Sequence, residues 1–234
     1  MWKDICEAQY ISLLESATNT RDLGGYQTEP GQRTRAFSML RSSCPVNASA
    51  DDISFLKEHG ITTVIDLRTE AEMRKQKSGL ADIEGLHYFH CPITEGSEIP
   101  ASVEAVPVSY MEIADAVEMP KVFRRIAEAP EGVIFHCSAG KDRTGVVAAI
   151  LLLHTGVEQR DIIFDYVLSK EYNRSRMEEL FKRMPEIKEI VTPREGYMEH
   201  FLELFQEKYA DTMHYFEELG LTEEEMVSIR GKLI

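Results

Sequence analysis

No stretch of this 234-residue chain strings together the roughly 18 to 20 apolar residues that a membrane-crossing helix needs. Its first residues, 1–10, carry Asp4 and Glu7 and lack the basic-then-apolar order of a secretory leader. The expectation is a cytoplasmic protein without a transmembrane segment. Positive charge is also scarce: 26 Lys and Arg face 40 Asp and Glu, a net charge of −14. An acidic surface repels polyanions, which argues against nucleic acid and anionic membrane as general partners. A small basic pocket remains compatible with it, and Lys141 and Arg143 are close enough in sequence to form one. Cysteine is sparse. The four, at positions 6, 44, 91 and 137, lie far apart with no Cys-x-x-Cys or paired Cys/His spacing. That argues against a zinc module, and a chain this long without an export signal is not expected to rest on disulfides. Cys6, Cys44 and Cys91 read as small buried apolar residues. Cys137 reads differently. Internal repeats and low-complexity tracts are missing too.

The composition, 43% hydrophobic and 28% charged, suits one generous globular domain or two small ones. We read a single domain over 1–234, with 173–234 a helical extension packed on it or forming a lid. The first forty residues suggest short strands and turns: an apolar segment at 10–14, a Gly-Gly turn within 19–26, a polar turn at 27–32 and a strand at 36–41. Residues 51–59 predict a helix, capped by Ser49 and ended by Gly60. The β-branched run 61–67 predicts a strand covered on both faces, with further strands at 87–93 and 133–135 and a helix at 121–129. Residues 144–154 are apolar around nearly the whole circumference, which predicts a buried central helix. Amphipathic helices are expected at 159–169, 173–183, 197–219 and 222–233. Strands alternating with helices predict a three-layer α/β/α fold with a mainly parallel sheet. Ligands of such sheets bind beyond the carboxyl ends of the strands. The loop between the strand ending at Phe135 and the helix starting at Thr144 lies there.

That loop reads His136-Cys137-Ser138-Ala139-Gly140-Lys141-Asp142-Arg143-Thr144-Gly145. Strand, polar loop and buried helix outline a cradle in which backbone N–H groups and the positive helix end face an oxyanion. Small residues at Ser138, Ala139 and Gly140 let the backbone approach closely. Arg143, separated from Cys137 by five residues, offers a two-pronged donor to two phosphate oxygens. The same field lowers the pKa of a thiol at Cys137. A thiolate attacks phosphorus to give a phosphocysteine, which water hydrolyses. Thr144 is placed to donate to the sulfur as it leaves. The loop amides and Arg143 hold the equatorial oxygens. No metal or organic cofactor is called for.

The run HCSAGKDRTG resembles the signature of the protein tyrosine phosphatase superfamily. Within it, the Lys-Asp pair resembles the bacterial and fungal branch of tyrosine/serine and dual lipid–protein phosphatases. Three more stretches carry that resemblance: Asn19-Thr20-Arg21-Asp22-Leu23-Gly24-Gly25-Tyr26; Leu40-Arg41-Ser42 with Asp66-Leu67-Arg68; and Asp165-Tyr166-Val167-Leu168-Ser169. Together they span roughly residues 10–175. The resemblance implies a phosphatase acting on phosphotyrosine, with phosphoserine/threonine and phosphoinositides as further substrate classes.

Departure of the alcohol needs a general acid. In the branch resembled, the carboxylate inside the signature has that role, which transfers to Asp142. The competing reading of Asp142 is a structural carboxylate paired with Lys141, Arg21 or a loop amide. Asp66 is a second candidate, with anchoring of Arg68 as its competing role, and Asp22 and Asp115 are further ones. Lys141 either holds a second anionic group or supplies general electrostatic support. His136 is expected to orient the loop, and Arg21 and Asp22 to position it or to form a plain turn. His154 reads as core. Pocket walls are expected from 94–108 and 173–199. Two other classes compete. A catalytically idle phosphate-recognition module would ordinarily lack Cys137 or Arg143. A rhodanese or arsenate-reductase-like thiol enzyme would not need the run Lys141 to Gly145, and the latter needs a resolving cysteine near the site, for which Cys44 and Cys91 are the candidates.

Overall fold

A computed structural model describes residues 10–28 and 31–234, so Asp4, Glu7, Cys6 and part of the expected turn at 27–32 lie outside the described residues. In chain order the elements are β1 (Arg21–Asp22), β2 (Met39–Ser42), α1 (Ala50–Glu58), β3 (Ile61–Asp66), α2 (Glu70–Lys75), β4 (His87–His90), α3 (Ala105–Ala114) and α4 (Met119–Glu128). There follow β5 (Gly132–His136), α5 (Asp142–His154), α6 (Gln159–Tyr172), α7 (Arg174–Arg183), α8 (Lys188–Val191), α9 (Glu195–Tyr209), α10 (Thr212–Glu218) and α11 (Glu223–Leu233).

The strands form one sheet in the order β1-β2-β5-β3-β4, parallel throughout except for β1. Strand side chains alternate between faces, and neighbouring residues accordingly enter different cores. Leu40, Val64 and Ile134 join Leu56 of α1 on one side. Met39, Ile65 and Phe135 join α3 to α6 and α9 to α11 on the other. The expected α/β/α layering is observed, with the second helical layer much the thicker. β5 sits in the middle, so the loop leaving its carboxyl end is held from both sides.

Ser49 caps α1 as its sequence suggests, through a reciprocal bond with Asp52. α5 is buried along nearly its whole length. The expected long helix at 197–219 is instead two, α9 and α10. Ala210 takes a φ of 64° and Asp211 caps the new start by accepting from the His214 amide. The segment 10–14 is irregular rather than extended, while α2 and α3 lie where no helix was expected. α9, α10 and α11 add Phe201, Phe205, Tyr215, Phe216 and Ile229 to the larger core. Among the described residues, no helix is long and apolar enough to cross a membrane.

Candidate active site

The loop 137–141 is shaped from behind, through its carbonyls. Asn19 Nδ2 donates to the carbonyls of Ala139 (3.1 Å) and Gly140 (2.8 Å), and Asn173 Nδ2 to Ala139 again (3.0 Å). Arg41 Nη2 holds the Gly140 carbonyl at 2.8 Å, and Arg176 Nη1 the Ser138 carbonyl at 2.9 Å. With these carbonyls turned outward, the amides of Ser138 to Lys141 donate to no protein acceptor among the described residues. A row of unpaired amides followed by a helix start is an anion site. Gly140 has a φ of 65°, and a Cβ there would stand 2.5 Å from the Ser42 carbonyl. Only glycine fits.

Cys137 is 3% exposed and lines the cavity above the loop. Burial pushes its thiol up. The Arg143 charge, with the hydroxyl and amide of Thr144, outweighs that and holds the thiol below its ordinary value. Thr144 Oγ1 is buried with no other partner among the described residues, which leaves its hydrogen for the sulfur. Cys44 and Cys91 behave oppositely. Burial pushes each to about 11.

Arg143 is gripped by a residue that the sequence reading missed. Glu72 of α2 accepts from Nη1 at 2.7 Å and from Nη2 at 2.8 Å, while Nη1 also reaches the carbonyls of Leu67 (3.3 Å) and Ile93 (3.2 Å). Nε is buried and has no partner among the described residues. Nε and the remaining Nη2 hydrogen are therefore the donors left for an oxyanion. Ser138 Oγ also donates to Glu72. Burial raises the Glu72 carboxyl, but its bonds from Arg143 and Ser138 prevail and bring it down to about 2. The capping-box spacing Thr69-x-x-Glu72 was the available sequence signal.

The remaining expected residues divide by place. Asp142 opens α5, lines the cavity, and accepts from Tyr110 Oη at 2.6 Å through Oδ1, with Lys141 Nζ 3.3 Å from the same oxygen. Lys141 also lines the cavity, and its ammonium donates to the Val191 carbonyl of α8 at 2.6 Å. His136 is fully buried beneath the loop, between Ser78 Oγ (3.4 Å) and the Cys137 carbonyl (3.3 Å), and burial lowers its pKa. Asp66 is buried and bound by Arg68, Tyr88 and its own turn, and these partners with His136 hold it below the carboxylate range against the effect of burial. Asp22 caps a turn, accepting from the amides of Gly24 and Phe37. Asp115 pairs with Lys208 at 2.7 Å. None of these last three lines the cavity. Arg21 is one step removed. It donates to Asp165 (2.9 Å), which also binds Arg41, which in turn holds the loop. The cavity walls come from 96–100, Val106 and Ser109 on one side, and from Met177, Leu180, Ile190 and Val191 on the other. Among the described residues, no group of three His, Cys, Asp or Glu side chains could hold a metal ion.

Strand, amide-lined loop and helix around one acidified thiol, with a clamped guanidinium beside it, make up the arrangement of a cysteine-dependent phosphatase. The comparisons narrow that class: the chain belongs to the tyrosine phosphatase family, whose sequence profile matches residues 12–234. It is 30% identical to a Cupriavidus necator protein classed by name with the tyrosine-protein phosphatases, over 76% of this chain and 70% of that one. A tyrosine-protein phosphatase of Nostoc commune is 26% identical, with 87% and 80% of the two chains covered. The triple specificity protein phosphatase PtpB of Mycobacterium tuberculosis is 24% identical, with 96% and 99% covered.

Proposed function

We propose that this phosphatase hydrolyses phosphotyrosine through a phosphocysteine at Cys137. The thiolate attacks phosphorus as the ester P–O bond breaks, and the leaving phenolate takes a proton from Asp142. Water then attacks the phosphocysteine, Asp142 recovers the proton, the S–P bond breaks, and the thiolate and inorganic phosphate are released. The amides of 138–141 and Arg143 hold the equatorial oxygens through both steps. The observation that carries this reading is the buried, unpartnered Arg143 Nε beside an acidified thiol and a row of unpaired amides. His136 and Thr144 act in place: the first seats the loop, the second offers the sulfur a hydrogen bond.

An aryl ester is favoured by the walls, since Pro100, Val106, Met177, Leu180 and Ile190 supply apolar surface above a polar floor. Lys141 supports a wider reading that takes in phosphoserine/threonine and phosphoinositide head groups, because its ammonium lines the same cavity. To meet a second phosphate it must leave the Val191 carbonyl. Residues 1–234 act as one domain, with the helical extension 173–234 packed on it; the first part of that extension serves as a lid, tied down by the Lys141–Val191 and Arg176–Ser138 bonds.

The test is hydrolysis of p-nitrophenyl phosphate with chelator present. Turnover that is inhibited by orthovanadate and lost in Cys137→Ser supports the mechanism. A requirement for added metal, or activity surviving Cys137→Ser, contradicts it. A panel of phosphopeptides and phosphoinositides, run on the wild type and Lys141→Met, separates the narrow reading from the wide one.

A further inference from the structure

Asp142 sits at the end of a chain of two phenols. Tyr110 of α3 donates to its Oδ1 at 2.6 Å, and Tyr166 of α6 lies 2.6 Å from Tyr110 Oη. Both rings are 1% exposed and meet edge to face, with centroids 5.8 Å apart. Phe201 of α9 packs on Tyr110 from another side, at 6.2 Å. The phenols are thus held by three helices and cannot turn elsewhere. An ionised carboxylate only accepts hydrogen bonds, so Tyr110 must give its single proton to Asp142. The Tyr110 oxygen is then free to accept only from Tyr166. With Asp142 ionised, the chain therefore runs from Tyr166 to Tyr110 to Asp142.

We propose that Tyr110, backed by Tyr166, is a positioning residue that reserves Oδ1 of Asp142 as an acceptor and thereby assigns the transferable proton to Oδ2. This rests on the reading of Asp142 as general acid. Oδ1 already faces the Tyr110 hydroxyl and the Lys141 ammonium, so a proton placed there would force both phenols to reverse their hydrogen bonds and would meet the Lys141 charge. Oδ2 has no protein partner among the described residues. After the proton has left, the same two donors receive the new negative charge, and because they are already in place they need not reorganise. Burial and the nearby Asp142 charge keep both phenols far above their ordinary pKa, so neither loses its proton during turnover.

The test measures kcat/KM against aryl phosphates whose leaving phenols range from strongly to weakly acidic, for the wild type, Tyr110→Phe, Tyr166→Phe, Asp142→Asn and Tyr110→Phe/Asp142→Asn. Tyr110→Phe is expected to lose roughly ten- to a hundredfold with the least acidic phenols, as fits loss of one hydrogen bond to a charged group, and little with the most acidic. Tyr166→Phe should move the same way by less. The double variant should be no worse than Asp142→Asn. A loss in Tyr110→Phe that is uniform across phenols, or that adds to that of Asp142→Asn, assigns Tyr110 to packing and overturns the proposal. A flat response in Tyr110→Phe beside a steep one in Asp142→Asn does the same and spares the acid. If Asp142→Asn itself is uniform, the acid assignment falls first and takes the proposal with it. Should Tyr110→Phe fail to fold, Tyr166→Phe carries the same comparison, with a uniform response again the contrary result.

Discussion

The carboxylate of Glu72 grips the guanidinium of Arg143 through two parallel hydrogen bonds, 2.7 Å from Nη1 and 2.8 Å from Nη2. A guanidinium held on one edge presents its other edge in a fixed direction, so oxyanion binding needs no further ordering of the side chain. Glu72→Gln keeps the shape and the capping position but loses the charge and one of the matched acceptors. We expect kcat/KM to fall by roughly ten- to a hundredfold, with weaker orthovanadate binding, as when a charged hydrogen-bond partner is lost. Steady-state kinetics beside a vanadate titration check this. Unchanged vanadate affinity would show that Arg143 orients itself.

The same pair makes a prediction about acid. Glu72 is brought down to about 2, against roughly 4.3 for a free glutamate. A carboxyl with a depressed folded-state pKa stabilises the protein fully above its unfolded pKa and stops doing so as pH falls through the folded one. Folding stability should therefore decline from about pH 4.3 toward pH 2, and Glu72→Gln should decline less steeply there than the wild type. Denaturant midpoints at several pH values measure both slopes; parallel slopes would refute the linkage.

Asp165 lies at the centre of a buried cluster, bound by Arg21 and Arg41 and by Tyr26 Oη at 3.2 Å. The two arginines outweigh burial and hold its carboxyl below the ordinary value. Asp165→Asn leaves two buried cations facing each other without a counter-charge. The expected cost is about 3–5 kcal/mol of stability, the usual range for breaking a buried pair on one side. Because Arg41 also holds the Gly140 carbonyl, activity should fall in whatever fraction stays folded. Thermal unfolding and activity per folded molecule test the two parts separately.

Much of this arrangement is legible in the sequence where chemistry and periodicity are local. The β-branched run of β3 and the apolar circumference of α5 announce themselves, and the residues between β5 and α5 carry their own charge pattern. What escapes is long-range. Glu72 meets Arg143 across 71 residues, and Tyr110 meets Asp142 across 32. Thr69 and Glu72 have the spacing that starts a helix, but nothing in that spacing says what the carboxylate faces. α3 carries apolar residues on most sides, so its period does not show. The break between α9 and α10 rests on one alanine at a positive φ, which sequence preference would place elsewhere. Asn19 and Arg21 illustrate the middle case: a recognisable stretch whose roles, one on the loop and one on Asp165, need coordinates to separate.

The thiols should separate by reactivity. Cys137 is held below its ordinary pKa, whereas Cys44 and Cys91 are pushed to about 11. Since the thiolate is the nucleophile, iodoacetamide near neutral pH should modify Cys137 and spare the other two. Phosphate should protect Cys137 by filling the loop. Dilute peroxide should inactivate the enzyme in a way that thiol reductant reverses, as the first oxidation step allows. Peptide mapping by mass spectrometry reads each site. Equal labelling of Cys44 would contradict the assigned electrostatics.

The central claim is a phosphoryl group carried on the Cys137 sulfur. Rapid mixing with a phosphorus-labelled aryl phosphate, acid quenching on the millisecond scale and mapping of the trapped label test it most directly. The account predicts label on Cys137, formed at least as fast as turnover and absent from Cys137→Ser. Label on another residue, wild-type turnover with no label trapped on Cys137, or steady turnover by Cys137→Ser would contradict it.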